Sequence, residues 1–279
     1  MEQTQIDLME AIHSGDVKKV TALLDSGTDP NFICEVTYDW YGEADYNNIS
    51  PLNEAVTVAL KYAEEVPERS KRRKVEYRES CIPDTVSVED MKKVIEVLLS
   101  HGANPHEVSL LNVFDSCKNN QMTEEFIRLL VENGADNYTD QMWGDYFIMK
   151  VLTDFGTNGL FDVLIANGFD VNMLFEDNGL RLIYIVIEKG SEDMLRGLIE
   201  KGADVNVSLT GSCGSMGYEE GDTPLIVSLK NKYGSADMAM ILLDKGADHT
   251  PENGYGQSAL TFAERNGFDS VAERIQAIG

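Results

Sequence analysis

Positive charge is scarce in this 279-residue chain: 23 Lys and Arg stand against 48 Asp and Glu, a formal charge of −25. A field of that sign repels nucleic-acid phosphates and anionic membranes, which argues against direct binding of either and favours a basic protein partner. The same charge also keeps a protein soluble, whatever it binds. Long apolar runs are missing too. No stretch of 18 uncharged apolar residues occurs, so no membrane span is expected. The opening run MEQTQIDLMEAI lacks a basic segment followed by a long apolar one, and reads as no secretory signal. The four cysteines, Cys34, Cys81, Cys117 and Cys213, form no C-x-x-C pair. The length excludes a small disulfide-framed domain, so reduced thiols in a cytoplasmic protein are the expectation.

Patterns that carry catalysis are also missing. The histidines, His13, His101, His106 and His249, build no H-E-x-x-H zinc motif. His101 and His106 flank a turn, where surface or capping roles are the ordinary ones. There is no G-x-x-x-x-G-K-[ST] loop, no G-x-S-x-G elbow and no D-x-D calcium loop. Carboxylate pairs are so numerous that none singles out an acid and a base. The 11 methionines fit core filling. The expectation is therefore a protein without catalytic residues, cofactor or metal.

What the chain does have is a recurring phrase. LIEKGADVN, Leu198–Asn206, has relatives in LLDSGTDPN, LLSHGANPH, LLVENGADN, LIANGFDVN and LLDKGADHT. Their glycines are Gly27, Gly102, Gly134, Gly168, Gly202 and Gly246, and the three middle gaps are 32 to 34 residues. A second phrase precedes the endings: SPLNEAV at Ser50–Val56, TPLIVSL at Thr223–Leu229 and SALTFAE at Ser258–Glu264. The Ser or Thr caps a helix whose first turn tolerates Pro. The later Gly suits a left-handed residue past a helix end. Gly15, Gly190, Gly234 and Gly267 mark turns between helices. Each unit reads as a helix, a short turn, a second helix, Gly and an extended connector.

On these phrases and this period the chain resembles the ankyrin-repeat family. The resemblance covers essentially the whole sequence as a single domain, residues 1–279. Its units fall at about 1–30, 31–104, 105–136, 137–170, 171–204, 205–248 and 249–279. SLLNVF, DYFIMK and RLIYIV replace the expected helix start in three units, and the consensus His is absent throughout. The resemblance implies an all-α solenoid of about seven helix-turn-helix repeats, in which each pair buries its apolar face against its neighbours. It also implies connectors projecting at one edge, with fingers and first helices forming a concave face.

The period is broken in three places. Phe32–Ile49 alternates apolar and polar residues and turns near Tyr41-Gly42-Glu43-Ala44, which fits a protruding two-stranded finger. Tyr62–Asp90 holds RSKRRK, Arg69–Lys74, and Arg78. That run is open to a localisation or nucleic-acid reading, or to a solvated helical extension paired with Glu64, Glu65, Glu68, Glu76 and Glu79. Val207–Asp222, VSLTGSCGSMGYEEGD, has glycines spaced like a phosphate cradle, but it follows no buried strand and its acids repel phosphate, so it reads as a flexible loop. A connector of normal length, QMWGDYF at Gln141–Phe147, again combines aromatics with acid, and residues 137–180 hold seven acids and only one base, Lys150.

The implied placement gathers a partner-binding set: Tyr38, Asp39, Trp40, Tyr41, Glu43, Asp45 and Tyr46 on the first finger, Trp143, Asp145 and Tyr146 on the central connector, and Tyr218, Glu219, Glu220 and Asp222 on the last. Aromatics anchor interfaces and carboxylates steer basic partners; each aromatic also has the alternative of pinning its own finger. The expected function is a non-catalytic module, monomeric when free, that binds a basic protein. It would act as an intracellular inhibitor of the immunity or nucleic-acid-mimic type, or as a scaffold or adaptor without inhibition. A third alternative, an enzyme or small-molecule sensor in a degraded array, requires a closed pocket near Val207–Asp222 or Tyr62–Asp90.

Overall fold

In the sequence phrase Leu-(x)3-Gly-Ala, the backbone closes the same way each time. The N–H groups of Ala103, Ala135, Ala203 and Ala247 donate to the carbonyls of Leu98, Leu130, Leu198 and Leu242 at 2.9–3.0 Å. The intervening glycine is left-handed in each case, with φ of 95° at Gly202, so the orphan carbonyls of the helix end are satisfied and the chain leaves sideways. At the other ends, Ser87, Ser191, Thr223, Ser235 and Ser258 accept the N–H groups of Asp90, Met194, Ile226, Met238 and Thr261.

The computed structural model describes residues 2–40, 43–63, 86–116, 120–136, 144–175, 178–212, 214, 216–230 and 234–278. They are mostly helical and form two compact units, Met1–Tyr138 and Thr139–Gly279. In the first, α1 (Gln3–His13) and α2 (Val17–Asp25) precede an antiparallel pair of strands, β1 (Cys34–Trp40) and β2 (Glu43–Ile49), with Cys34 opposite Ile49 and Trp40 opposite Glu43. Next come α3 (Pro51–Ala63), α4 (Val88–Ser100), a 3-10 turn at Pro105–Glu107, α5 (Leu110–Ser116) and α6 (Asn120–Glu132). The second unit holds α7 (Gly144–Phe155), α8 (Leu160–Ala166), α9 (Leu182–Lys189), α10 (Glu192–Glu200), α11 (Pro224–Val227), α12 (Ala236–Asp244), α13 (Ala259–Asn266) and α14 (Asp269–Ile278).

Within each unit consecutive helices pair, and the pairs stack like on like. In the first unit α1 packs on α3, α3 on α5, and α2 on α4. In the second, α9 packs on α11, α11 on α13, α10 on α12 and α12 on α14. One such pair is too small to bury its apolar face alone; stacked, the pairs bury Leu8, Ile12, Leu52, Ile95 and Leu98 in one unit and Phe147, Phe161, Tyr184, Leu198 and Leu242 in the other.

The connectors are tied to one another by asparagines. The Asn172 amide donates to Gly202 O at 2.9 Å while its Oδ1 accepts the Asp204 N–H at 2.8 Å. Asn206 repeats this with Gly246 O at 3.1 Å and the Asp248 N–H at 2.7 Å, and Asn31 does so with Gly102 and Asn104 at 2.9 and 2.7 Å. Each side chain thus serves one donor and one acceptor of the next connector. Asn206→Ala removes both bonds at a solvent-accessible site and should lower stability by about 1–2 kcal/mol. Asn206→Asp keeps the acceptor but sets a carboxylate oxygen against the Gly246 carbonyl, so it should be no better than Asn206→Ala; urea midpoints check the order.

The first unit has a second kind of tie, between histidines and carboxylates. His13 meets Glu54 at 2.9 Å across α1 and α3, and His106 meets Asp136 at 2.6 Å. His101 meets Asp25 at 3.1 Å and the Val97 carbonyl at 2.8 Å. Two acceptors on one ring favour the doubly protonated imidazolium, so the hydrogen bond to Asp25, and then that to Val97, raises the His101 pKa.

Candidate functional site

The insert Val207–Asp222 is drawn inward by one residue of the preceding helix pair. Tyr184 of α9 is fully buried, and its hydroxyl lies 3.1 Å from Val207 O and 3.0 Å from Asp222 O, the two ends of the insert. Burial pushes the phenol well above its usual pKa, so it remains a donor. Leu209 N–H donates to Asp222 O at 3.0 Å and Gly221 N–H to Leu209 O at 2.8 Å, which closes the base of the loop. Inside it Tyr218, only 1% exposed, packs its ring 6.3 Å from that of Tyr184.

Asp222 is the polar centre of this arrangement and has no exposed surface. Its carboxylate forms an ion pair with Lys230, accepts the Glu219 N–H at 2.7 Å and accepts the Asn253 amide at 3.1 Å. A buried charge needs this many partners to offset its desolvation. Lys230 Nζ also lies 5.9 Å from the Tyr218 ring centroid and 5.7 Å from that of Phe262, a cation held between two aromatic rings. Leu209, Tyr218 and Asp222 of the insert are thus packed into their own unit, where a flexible loop is the expectation from sequence. Tyr218 and Asp222, expected among the partner-binding residues, are core and latch residues. Their partners, Tyr184 for the ring and Lys230 and Asn253 for the carboxylate, belong to the same unit. Glu219 is half-buried and accepts from Ser212 Oγ at 2.9 Å, and Glu220 is exposed while its carbonyl accepts the Gly254 N–H at 2.7 Å.

The other expected site residues divide by position. The backbone places Tyr38 opposite Asp45, Trp40 opposite Glu43 and Tyr46 opposite Thr37 on the paired strands, with Asp39 opposite Ala44. Tyr41 and Trp143 lie outside the described residues, as does the basic run Arg69–Lys74. Asp145 and Tyr146 fall in the first turn of α7; Tyr146 is 49% exposed, with Lys150 Nζ 5.7 Å from its ring centroid.

Two features escaped the sequence reading. The first is a carboxylate on three connectors of the second unit: Asp170, Asp204 and Asp248 are all exposed, and each accepts the N–H two residues on at 2.8–2.9 Å. The backbone N–H and then the hydroxyl of Thr250 lower the pKa of Asp248. The repeated G-x-D-x-N spelling contained this signal, although the Asn attracts attention as a turn residue. The second is an open cleft of about 280 Å³ beside the packed insert, with Lys230, Tyr255, Phe262 and Arg265 in its walls. Among the described residues no group of three or more His, Cys, Asp or Glu is placed to hold a metal ion, and no helix is long and apolar enough to cross a membrane. No known family model matches the chain.

Proposed function

We propose that this chain is a non-catalytic, ankyrin-repeat-type binding module that captures a basic protein along its acidic connector edge. The observation that supports this best is the asparagine ladder of the second unit, since Asn172 and Asn206 hold the N–H groups of exposed Asp204 and Asp248 on successive connectors, in a molecule of charge −25. Carboxylates held in turns are pre-organised, so little side-chain entropy is lost when a Lys- or Arg-rich surface docks. Within the first unit, the strands Cys34–Trp40 and Glu43–Ile49 carry an aromatic and acidic sequence with no Lys or Arg. Covering a basic surface of a cytoplasmic protein would inhibit whatever that surface does, which makes an inhibitor the most specific form of the proposal.

Affinity capture from the native source, first at low and then at moderate salt, should return one dominant basic protein that salt removes. Its association rate should fall roughly 10- to 100-fold from low to physiological ionic strength. A dominant neutral partner that resists salt would reject the acidic-edge reading and leave an adaptor, with the charge serving solubility.

A further inference from the structure

The cleft beside the insert brings two cationic side chains together in a chain of charge −25. Lys230 and Arg265 face it against a single carboxylate, Glu219. The charge of Lys230 is already met by buried Asp222, and its ammonium also donates to Gly217 O at 3.0 Å. Among the described residues, no carboxylate lies within ion-pair distance of Arg265, which is exposed near the end of α13. The cleft therefore offers one uncompensated guanidinium.

Beside it stands Tyr255, the most exposed large hydrophobic side chain among the described residues at 71%. Its backbone is fixed from below. Asn253 is only 5% exposed, and its Oδ1 accepts the N–H groups of Tyr255 and Gln257 at 3.1 Å each while its amide is tied to Asp222. A tyrosine whose backbone is locked by a buried polar network offers its ring with little further ordering on binding. Phe262, 9% exposed, lines the same cleft and leaves one edge of its ring to it. At about 280 Å³ the space is at or below the lower end for a small-molecule site, and suits one or two side chains of a longer ligand.

We infer that the cleft binds an extended segment of a partner protein through an Asp or Glu side chain set against Arg265, with a neighbouring apolar side chain laid on Tyr255 and Phe262. Planar guanidinium and carboxylate pair in a bidentate manner. This rests on the reading of the chain as a protein-binding module but not on the partner being basic overall. A single acidic contact within an otherwise basic interface would fix the register in which the partner docks, because like charge elsewhere along the edge repels any misplaced acid.

The test is a random dodecapeptide library, displayed with its carboxyl ends fused to the carrier, selected on the full chain and in parallel on Arg265→Gln and Tyr255→Ala. Both substitutions are at exposed positions, and unchanged melting curves establish that they fold. Selected peptides should share Asp or Glu next to an apolar residue. As synthetic fluorescent peptides they should bind Arg265→Gln about tenfold or more weakly, and Tyr255→Ala more weakly as well. Enrichment of sequences without an acid, equal binding to Arg265→Gln, or no enrichment at all would overturn the assignment. Basic peptides that ignore Arg265→Gln would reject the cleft and leave the acidic edge standing. Acidic peptides bound here by a chain that captures no basic protein would do the reverse.

Discussion

Asp222→Ala is expected to destabilise the second unit by about 3–5 kcal/mol, the range for breaking a buried ion pair from one side. The carboxylate is fully buried whereas Lys230 retains 15% side-chain exposure, so the lysine can turn partly outward and the lower half of the range is favoured. The remaining loss comes from the donors left behind: the Glu219 N–H and the Asn253 amide both point at the vacated site. Asp222→Asn should recover little, because its NH2 group would oppose one of those donors. Adding Lys230→Met to Asp222→Ala should restore part of the stability, since the orphan cation is then gone while the orphan N–H groups remain. Amide hydrogen exchange is the readout, because it separates the units: amides of α11 to α14 should lose protection and those of α1 to α4 should not. Uniform loss in both units, or no loss, would show that the latch does not hold its unit together.

The same latch shows what the sequence could and could not disclose. Many helix ends were legible because they are set by local chemistry: a Ser or Thr before the first turn, a Gly near the end, and apolar residues spaced to face a neighbour. Thr223 and Ser258 cap as their positions imply, and Gly202 and Gly246 take the left-handed turn. The placement of Tyr218 and Asp222 was not legible because it depends on residues far along the chain. Tyr184 is 38 positions before Asp222 and Asn253 is 31 after it, and neither spacing is a local signal. Aromatic and acidic residues in a Gly-rich loop describe an exposed finger and a folded-back one equally well. The cleft escaped for a related reason: Tyr255 and Arg265 look ordinary in sequence, and only the turn built by Asn253 brings the ring to its edge. The acidic connectors also escaped although the repeated phrase spells them, because G-x-D-x-N does not disclose that Asn172 and Asn206 reach the next connector.

Gly221→Ala should destabilise by about 2–5 kcal/mol, through two separable effects. The residue has φ of 81°, where an L side chain is strained by roughly 1–2 kcal/mol. A Cβ there would lie 2.8 Å from Asn253 Cα, 3.1 Å from Glu252 O and 3.2 Å from Asn253 C, all of them backbone atoms. No rotamer change relieves such contacts, so the connector that carries Asn253 must move and add about 1–3 kcal/mol of overpacking strain. Gly202→Ala is the internal control: its φ is 95°, but a Cβ there meets nothing within 4 Å, so only the conformational part applies. Urea unfolding of the two variants should therefore differ, with Gly221→Ala the more damaging. Moving the Asn253 turn also moves Tyr255, so Gly221→Ala should weaken peptides selected on the cleft, whereas Gly202→Ala should leave their affinity unchanged. Equal destabilisation by the two substitutions would mean that the insert does not close against the last connector, and the rigid presentation of Tyr255 would fall with it.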